Sequence, residues 1–96
     1  MRLVQPTDFE ILHALSDGYR NTAANIAHII DKNRAYINTR LPVLADYGLV
    51  SRVGPAPNSG LYVITEKGKV ALSNRELYNV DEDEFEALLS MSIADK

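Results

Sequence analysis

The sequence predicts a mainly helical domain with one small β-hairpin, an α+β chain in which the helices come first. Three observations predict it. Apolar residues recur at helical spacing behind good capping residues over positions 7–46. Two short runs rich in β-branched and aromatic residues, "LVSRV" and "LYVIT", then flank the turn-forming stretch "GPAPNSG". A last amphipathic segment begins at the acidic cluster "DEDE" near the C-terminus.

Each element has its own warrant. Thr7 and Glu10 have capping-box spacing, Pro6 precedes them, and Ile11, Leu12 and Leu15 form a helical stripe that stops at Asp17-Gly18. "YRN" reads as a short strand. A second helix starts at Asn21 or Thr22 and runs to Ile30, burying Ile26, Ile29 and Ile30 while Ala23 and Ala27 allow close approach. "DKN" interrupts it. Asn33 caps a third helix, residues 34–46, and Gly48 stops it. The strands follow at 49–53 and 61–65. Thr65 caps a short helix through Leu72, with Gly68 an odd residue inside it. After the polar stretch "SNRE", a last helix begins at Asp81 with Glu84 three residues on, and carries Phe85, Leu88 and Leu89 on one side.

Composition narrows the function. Ninety-six residues suit one domain with an appended element, and 46% apolar content supports a small core. Without cysteine there is no disulfide framework or thiolate metal site. No apolar run approaches the roughly 18 residues of a membrane span. The N-terminus has no signal-like apolar segment, so the expectation is a soluble cytoplasmic protein with no membrane partner. His13 and His28 are isolated, and no His/Asp/Glu group has metal-binding spacing. There is no phosphate loop, nucleophile elbow or HExxH, and nothing marks a cofactor or small-molecule ligand. An enzyme is not expected.

The charge is segregated. The chain is −3 overall, yet residues 20–52 hold five bases (Arg20, Lys32, Arg34, Arg40, Arg52) against Asp31 and Asp46, a local +3. A basic segment in an acidic chain is a candidate polyanion site.

Two helices joined by a three-residue turn make a helix-turn-helix, and the hairpin behind them makes a wing. "RAYINTRLPVLADYGLVSRV" followed by "GLYVITEKGKVAL" resembles winged helix-turn-helix transcriptional regulators, and most of all the archaeal group typified by the PhiH phage repressor. The shared residues are Arg40-Leu41, Leu44, Tyr47-Gly48-Leu49-Val50, Tyr62, Ile64-Thr65 and Gly68, within about residues 8–72. The resemblance implies sequence-specific binding of double-stranded DNA, as a homodimer and as a repressor. Two positions depart from the pattern. Lys32 stands where the turn usually carries an aliphatic residue, and the wing tip "PAPNS" is uncharged. The uncharged tip and acidic total favour the alternative, a winged-helix protein–protein module that does not touch DNA.

Helical geometry selects the reading face. At roughly 100° per residue, Ile37, Leu41 and Leu44 share one stripe and must face the core. The N-terminal half of the opposite side enters the major groove in proteins of this architecture, which makes Ala35, Tyr36, Asn38 and Thr39 the candidates for base contact. Arg20, Lys32, Arg34, Arg40, Arg52 and Asn58 are the candidates for phosphate contact. Pro42 lies inside this helix. The expectation is a bend there, or a restart with Pro42 in the first turn.

The division expected is a winged helix-turn-helix domain at 1–74 and a C-terminal helical extension at 75–96. The apolar stripe of that extension has no evident place in a core closing around residues 8–72. Leu77, Tyr78, Phe85, Leu88 and Leu89 are therefore the candidates for a homodimer interface, the alternative being a helix folded back on its own domain.

Overall fold

The computed structural model describes residues 1–56 and 59–94. The order is α1 (Thr7–Ala14), β1 (Asn21–Thr22), α2 (Ala23–Ile30), α3 (Arg34–Asp46), β2 (Val50–Val53), β3 (Leu61–Ile64), α4 (Glu66–Ser73), α5 (Arg75–Val80) and α6 (Glu82–Ala94). The sheet has the order β1-β3-β2 and is antiparallel throughout, with Arg52 opposite Tyr62 and Val50 opposite Ile64. The short first strand pairs Asn21 with Tyr62.

Local chemistry sets most boundaries. The Thr22 side chain accepts from the Asn25 N–H, and the Asn33 side chain from the Tyr36 N–H. Between these helices Asp31 adopts the left-handed conformation, φ 56°, and the Lys32 N–H returns to the Ala27 carbonyl. The Asp81 side chain accepts from the Glu84 N–H and opens α6. The start of α1 differs from expectation. Pro6 occupies the cap position with no side-chain bond, and Thr7 lies buried inside the helix. Asp8 takes over, its Oδ2 accepting from the Val4 N–H at 2.7 Å.

Gly68 is explained by a close approach. The Thr65 hydroxyl donates to the Gly48 carbonyl at 2.6 Å and accepts from the Gly68 N–H at 3.0 Å. The Thr65 N–H also donates to the Leu49 carbonyl. These bonds draw the first turn of α4 onto the turn after α3, where a Cβ on Gly68 would collide with the Leu49 carbonyl oxygen. Gly48, at φ +79°, makes that turn in a backbone region L-residues avoid.

Three further expectations are corrected. Ile29 is 56% exposed. The buried positions of α2 centre near Ile30, and Ile29 lies roughly 100° from that direction. The expected separator "SNRE" is largely helical, with Ser73 ending α4 and Arg75 and Glu76 opening α5 (Arg75–Val80). Helix α3 runs through Pro42 as one element, so there is no restart.

The C-terminal segment is the largest correction. Tyr78, Phe85 and Leu89 are buried in the same cluster as Phe9, Ile11 and Leu12. The rings of Phe9, Tyr78 and Phe85 pack edge to face in a triangle, with centroids 5.2 to 6.4 Å apart. The Tyr78 hydroxyl accepts from the Leu3 N–H at 2.9 Å, and burial pushes the phenol above its ordinary pKa. These three side chains cannot also form a dimer surface. The stripe of α6 satisfies itself inside the chain, packing on the core that holds Phe9, Ile11 and Leu12 of α1 and Ala71 of α4.

Candidate nucleic-acid interface

Helix α3 carries the candidate site. Ile37, Leu41 and Leu44 are fully buried and fix the helix on the core. Ala35, Tyr36, Asn38 and Thr39 are all exposed, on the N-terminal half. The Thr39 hydroxyl donates to the Tyr36 carbonyl at 2.6 Å. Its hydrogen is spent locally, so the side chain offers a methyl group and acceptor lone pairs.

The two flanks of α3 meet different neighbours. Arg34 and Asn38 line an open groove with Thr22 and Ala24 on one side and Ser59, Gly60 and Tyr62 of the hairpin on the other. Arg52 contacts Tyr62, one of the residues lining this groove. Its Nε donates to the Tyr62 hydroxyl at 3.2 Å, and the guanidinium carbon lies 5.9 Å from the ring centroid. Arg20 is exposed directly before β1, whose Asn21 is the other cross-strand neighbour of Tyr62. Three cations therefore come from elements that meet at Tyr62. The hairpin supplies its positive charge from a strand, while the tip residues 54–56 and 59–60 carry none. Asn58 lies outside the described residues.

The opposite flank faces α1, and there the structure corrects the sequence. The Arg40 guanidinium is not turned outward. Nε and Nη2 grip the two carboxylate oxygens of Asp8 at 3.0 and 2.8 Å. The Asp8 side chain is 0% exposed and that of Arg40 only 16%. The hydrogen bonds to Asp8 raise the Arg40 pKa above its ordinary value, so the group stays charged and committed. A buried carboxylate cannot release this partner without being stranded. Lys32 is partly engaged as well, with Nζ 3.6 Å from Glu10 Oε1. Arg20, Arg34 and Arg52 are thus the bases of this segment that form no ion pair among the described residues.

Sequence reasoning missed Tyr62, Thr22 and Ser59 as groove residues. The cross-strand register of the hairpin was the available signal, since it sets Arg52 against Tyr62. Among the described residues no group of three or more His, Asp or Glu side chains is placed to hold a metal. No helix there is long and apolar enough to cross a membrane.

No protein-family model and no curated protein sequence matches the chain. Solved structures do. A MarR family protein from Bacillus stearothermophilus is 20% identical with a TM-score of 0.63, the match covering 98% of this chain and 76% of that one. The transcriptional repressor CouR, bound to a 23-mer DNA duplex, is 23% identical with a TM-score of 0.61, covering 96% and 74%. The oxidized form of MarR from E. coli is 19% identical with a TM-score of 0.59, covering 93% and 63%, so the chain spans less than two thirds of that protein's length. At these identities the likeness is one of fold. The chain has the winged helix-turn-helix fold, with α2 and α3 as the helix-turn-helix and β2–β3 as the wing.

Proposed function

We propose that the chain is a sequence-specific double-stranded DNA-binding transcriptional regulator that lays the N-terminal half of α3 in the major groove. The observation that carries this reading is the exposed row Ala35, Tyr36, Asn38 and Thr39 beside a groove lined by Arg34 and by Tyr62, which Arg52 contacts. Asn38 suits bidentate pairing with adenine, and Ala35 and the Thr39 methyl suit a thymine methyl. Arg20, Arg34 and Arg52 hold phosphates. The fold is shared with CouR, a repressor solved on a DNA duplex, which supports repression as the mode. The residue pattern from Arg40 to Gly68 supports the PhiH-like subgroup.

The dimer reading moves to a different surface. With Tyr78, Phe85 and Leu89 inside, the contact we propose is the groove between α5 and α6, lined by Leu77, Ala87, Leu88 and Met91, together with Val80, exposed at the end of α5. A two-fold pair would set two copies of α3 about 34 Å apart, one helical turn of DNA.

The test is a selection of bound duplexes from a random pool, followed by anisotropy titrations of the winner against salt. Three phosphate contacts predict a log–log slope of about −3 per protomer, from roughly −0.9 for each contact. A slope of zero with no enrichment would favour the protein–protein module, which the uncharged wing tip also suits.

A further inference from the structure

We propose that Asp8 and Arg40 form a positioning pair that sets the rotation of α3 about its own axis, and so aims its reading face. The inference rests on the DNA-binding reading above and assigns Arg40 a role other than phosphate contact. Asp8 is an acid with no exposure on a helix outside the helix-turn-helix, and it carries two loads at once. Both oxygens hold the Arg40 fork, and Oδ2 also accepts from the Val4 N–H.

Val4 belongs to an N-terminal strap that also reaches Tyr47, the C-cap residue of α3. The Arg2 N–H donates to the Tyr47 hydroxyl at 3.0 Å, and the Leu3 N–H to the Tyr78 hydroxyl at 2.9 Å. Arg40 and Tyr47 are seven residues apart, two turns on the same flank. That flank is thus pinned at two points about 10 Å apart along the axis. Asn38 and Arg34 lie on the flank away from these pins, lining the groove with the wing. A rotation of about 20° would carry a side-chain tip, some 5–6 Å from the axis, by about 2 Å. That exceeds what a bidentate base contact tolerates. A bidentate guanidinium–carboxylate fork resists such a rotation because it is planar.

The experiment uses the full chain and the pool-selected duplex, with Arg40→Lys, Arg40→Gln, Asp8→Asn and the charge-free double variant Asp8→Leu/Arg40→Met. Thermal melts establish which variants are folded, and the double variant leaves no buried charge stranded. Each folded variant is expected to lose about tenfold or more in specific affinity, comparable to a mismatched base pair. The salt slope and the affinity for random duplex are expected to stay at the wild-type values, because no phosphate contact has been removed. The amides of residues 35–39 are expected to exchange faster in Asp8→Asn than in wild type. Arg40→Gln lowering the slope by about 1, with Asp8→Asn binding as tightly as wild type, would overturn the pair and restore Arg40 as a phosphate contact. Wild type binding no duplex would be a failure of the DNA reading instead. The exchange measurement then stands alone, and unchanged rates at 35–39 overturn the positioning role without reference to DNA.

Discussion

Phe85, early in the last helix, meets Phe9 of the first helix edge to face, with ring centroids 6.4 Å apart and planes at 83°. Tyr78 completes the triangle from α5. The C-terminal segment is therefore part of the same core on which α3 is seated. Phe85→Ala is expected to cost about 3–5 kcal/mol, in the usual range for a large core side chain cut to alanine. Against a total of about 5–15 kcal/mol for a domain of this size, that is a large share. Urea melts would measure it. A loss below about 1 kcal/mol would mean that residues 1–74 hold together without this contact.

The two kinds of DNA contact proposed above should separate in titrations. Asn38→Ala is expected to weaken the selected site by about 1–3 kcal/mol and to relax the preference at one base pair, with the salt slope unchanged. Arg34→Ala and Arg52→Ala are expected to weaken all duplexes alike and to lower the slope by about 1 each. If Asn38→Ala left the selected sequence unaltered, base reading would have to come from other residues of the exposed row.

The helix-turn-helix was legible because its information is local. Asn33 caps within three residues, and Ile37, Leu41 and Leu44 mark the buried stripe at helical spacing. The wing was legible from its turn residues. Arg40 was not, because its partner Asp8 lies 32 positions away and on another helix. An arginine on the flank of a recognition helix looks the same in sequence whether it meets a phosphate or a carboxylate. Tyr78, Phe85 and Leu89 failed for a related reason. An amphipathic stripe declares that it will be covered, and does not say by which chain. Thr7 and Glu10 had the right spacing for a cap, yet Pro6 enters α1 already in a helical conformation, φ −87° and ψ −1°. The free backbone N–H that needed a carboxylate was that of Val4, upstream.

The proposed dimer should respond to salt in the direction opposite to DNA binding. Asp81, Asp83 and Glu84 rim the α5–α6 groove, so two copies meeting there bring acids together. Raising ionic strength from 0.1 to 1 M shortens the screening length from about 10 to 3 Å and removes that repulsion. Sedimentation is expected to show tighter self-association at 1 M salt. Val80→Asp and Met91→Glu, at residues 83% and 65% exposed, should give monomers that remain folded. A chain that is monomeric at every salt and concentration would sink the two-fold model.

The Thr65 junction gives a prediction about stability with no DNA involved. Thr65→Val removes the acceptor for the Gly68 N–H and the donor to the Gly48 carbonyl while keeping the shape. The expected loss is about 1–2 kcal/mol, as for a helix cap. Gly68→Ala should cost at least as much, because its Cβ has nowhere to go against the Leu49 carbonyl and overpacking of this kind costs about 1–3 kcal/mol. An alanine variant as stable as wild type would show that α4 can slide away from the turn.

Pro42 is the residue whose consequence changed most. In a helix interior, proline is about 3 kcal/mol less favourable than alanine, and it leaves the Asn38 carbonyl without its usual N–H partner. Yet α3 is continuous from Arg34 to Asp46, and side chains on both sides of the proline are independently held. Ile37 and Arg40 anchor the N-terminal half, and Leu44 and the C-cap residue Tyr47 anchor the rest. With the aim of the helix set by those contacts, Pro42→Ala is expected to raise stability by about 1–3 kcal/mol and to leave DNA affinity within about twofold. The stability gain is limited because proline also restricts the unfolded chain. A variant that gained stability but lost tenfold in specific affinity would show instead that the proline aims the N-terminal half of α3, with the Asp8–Arg40 grip following it.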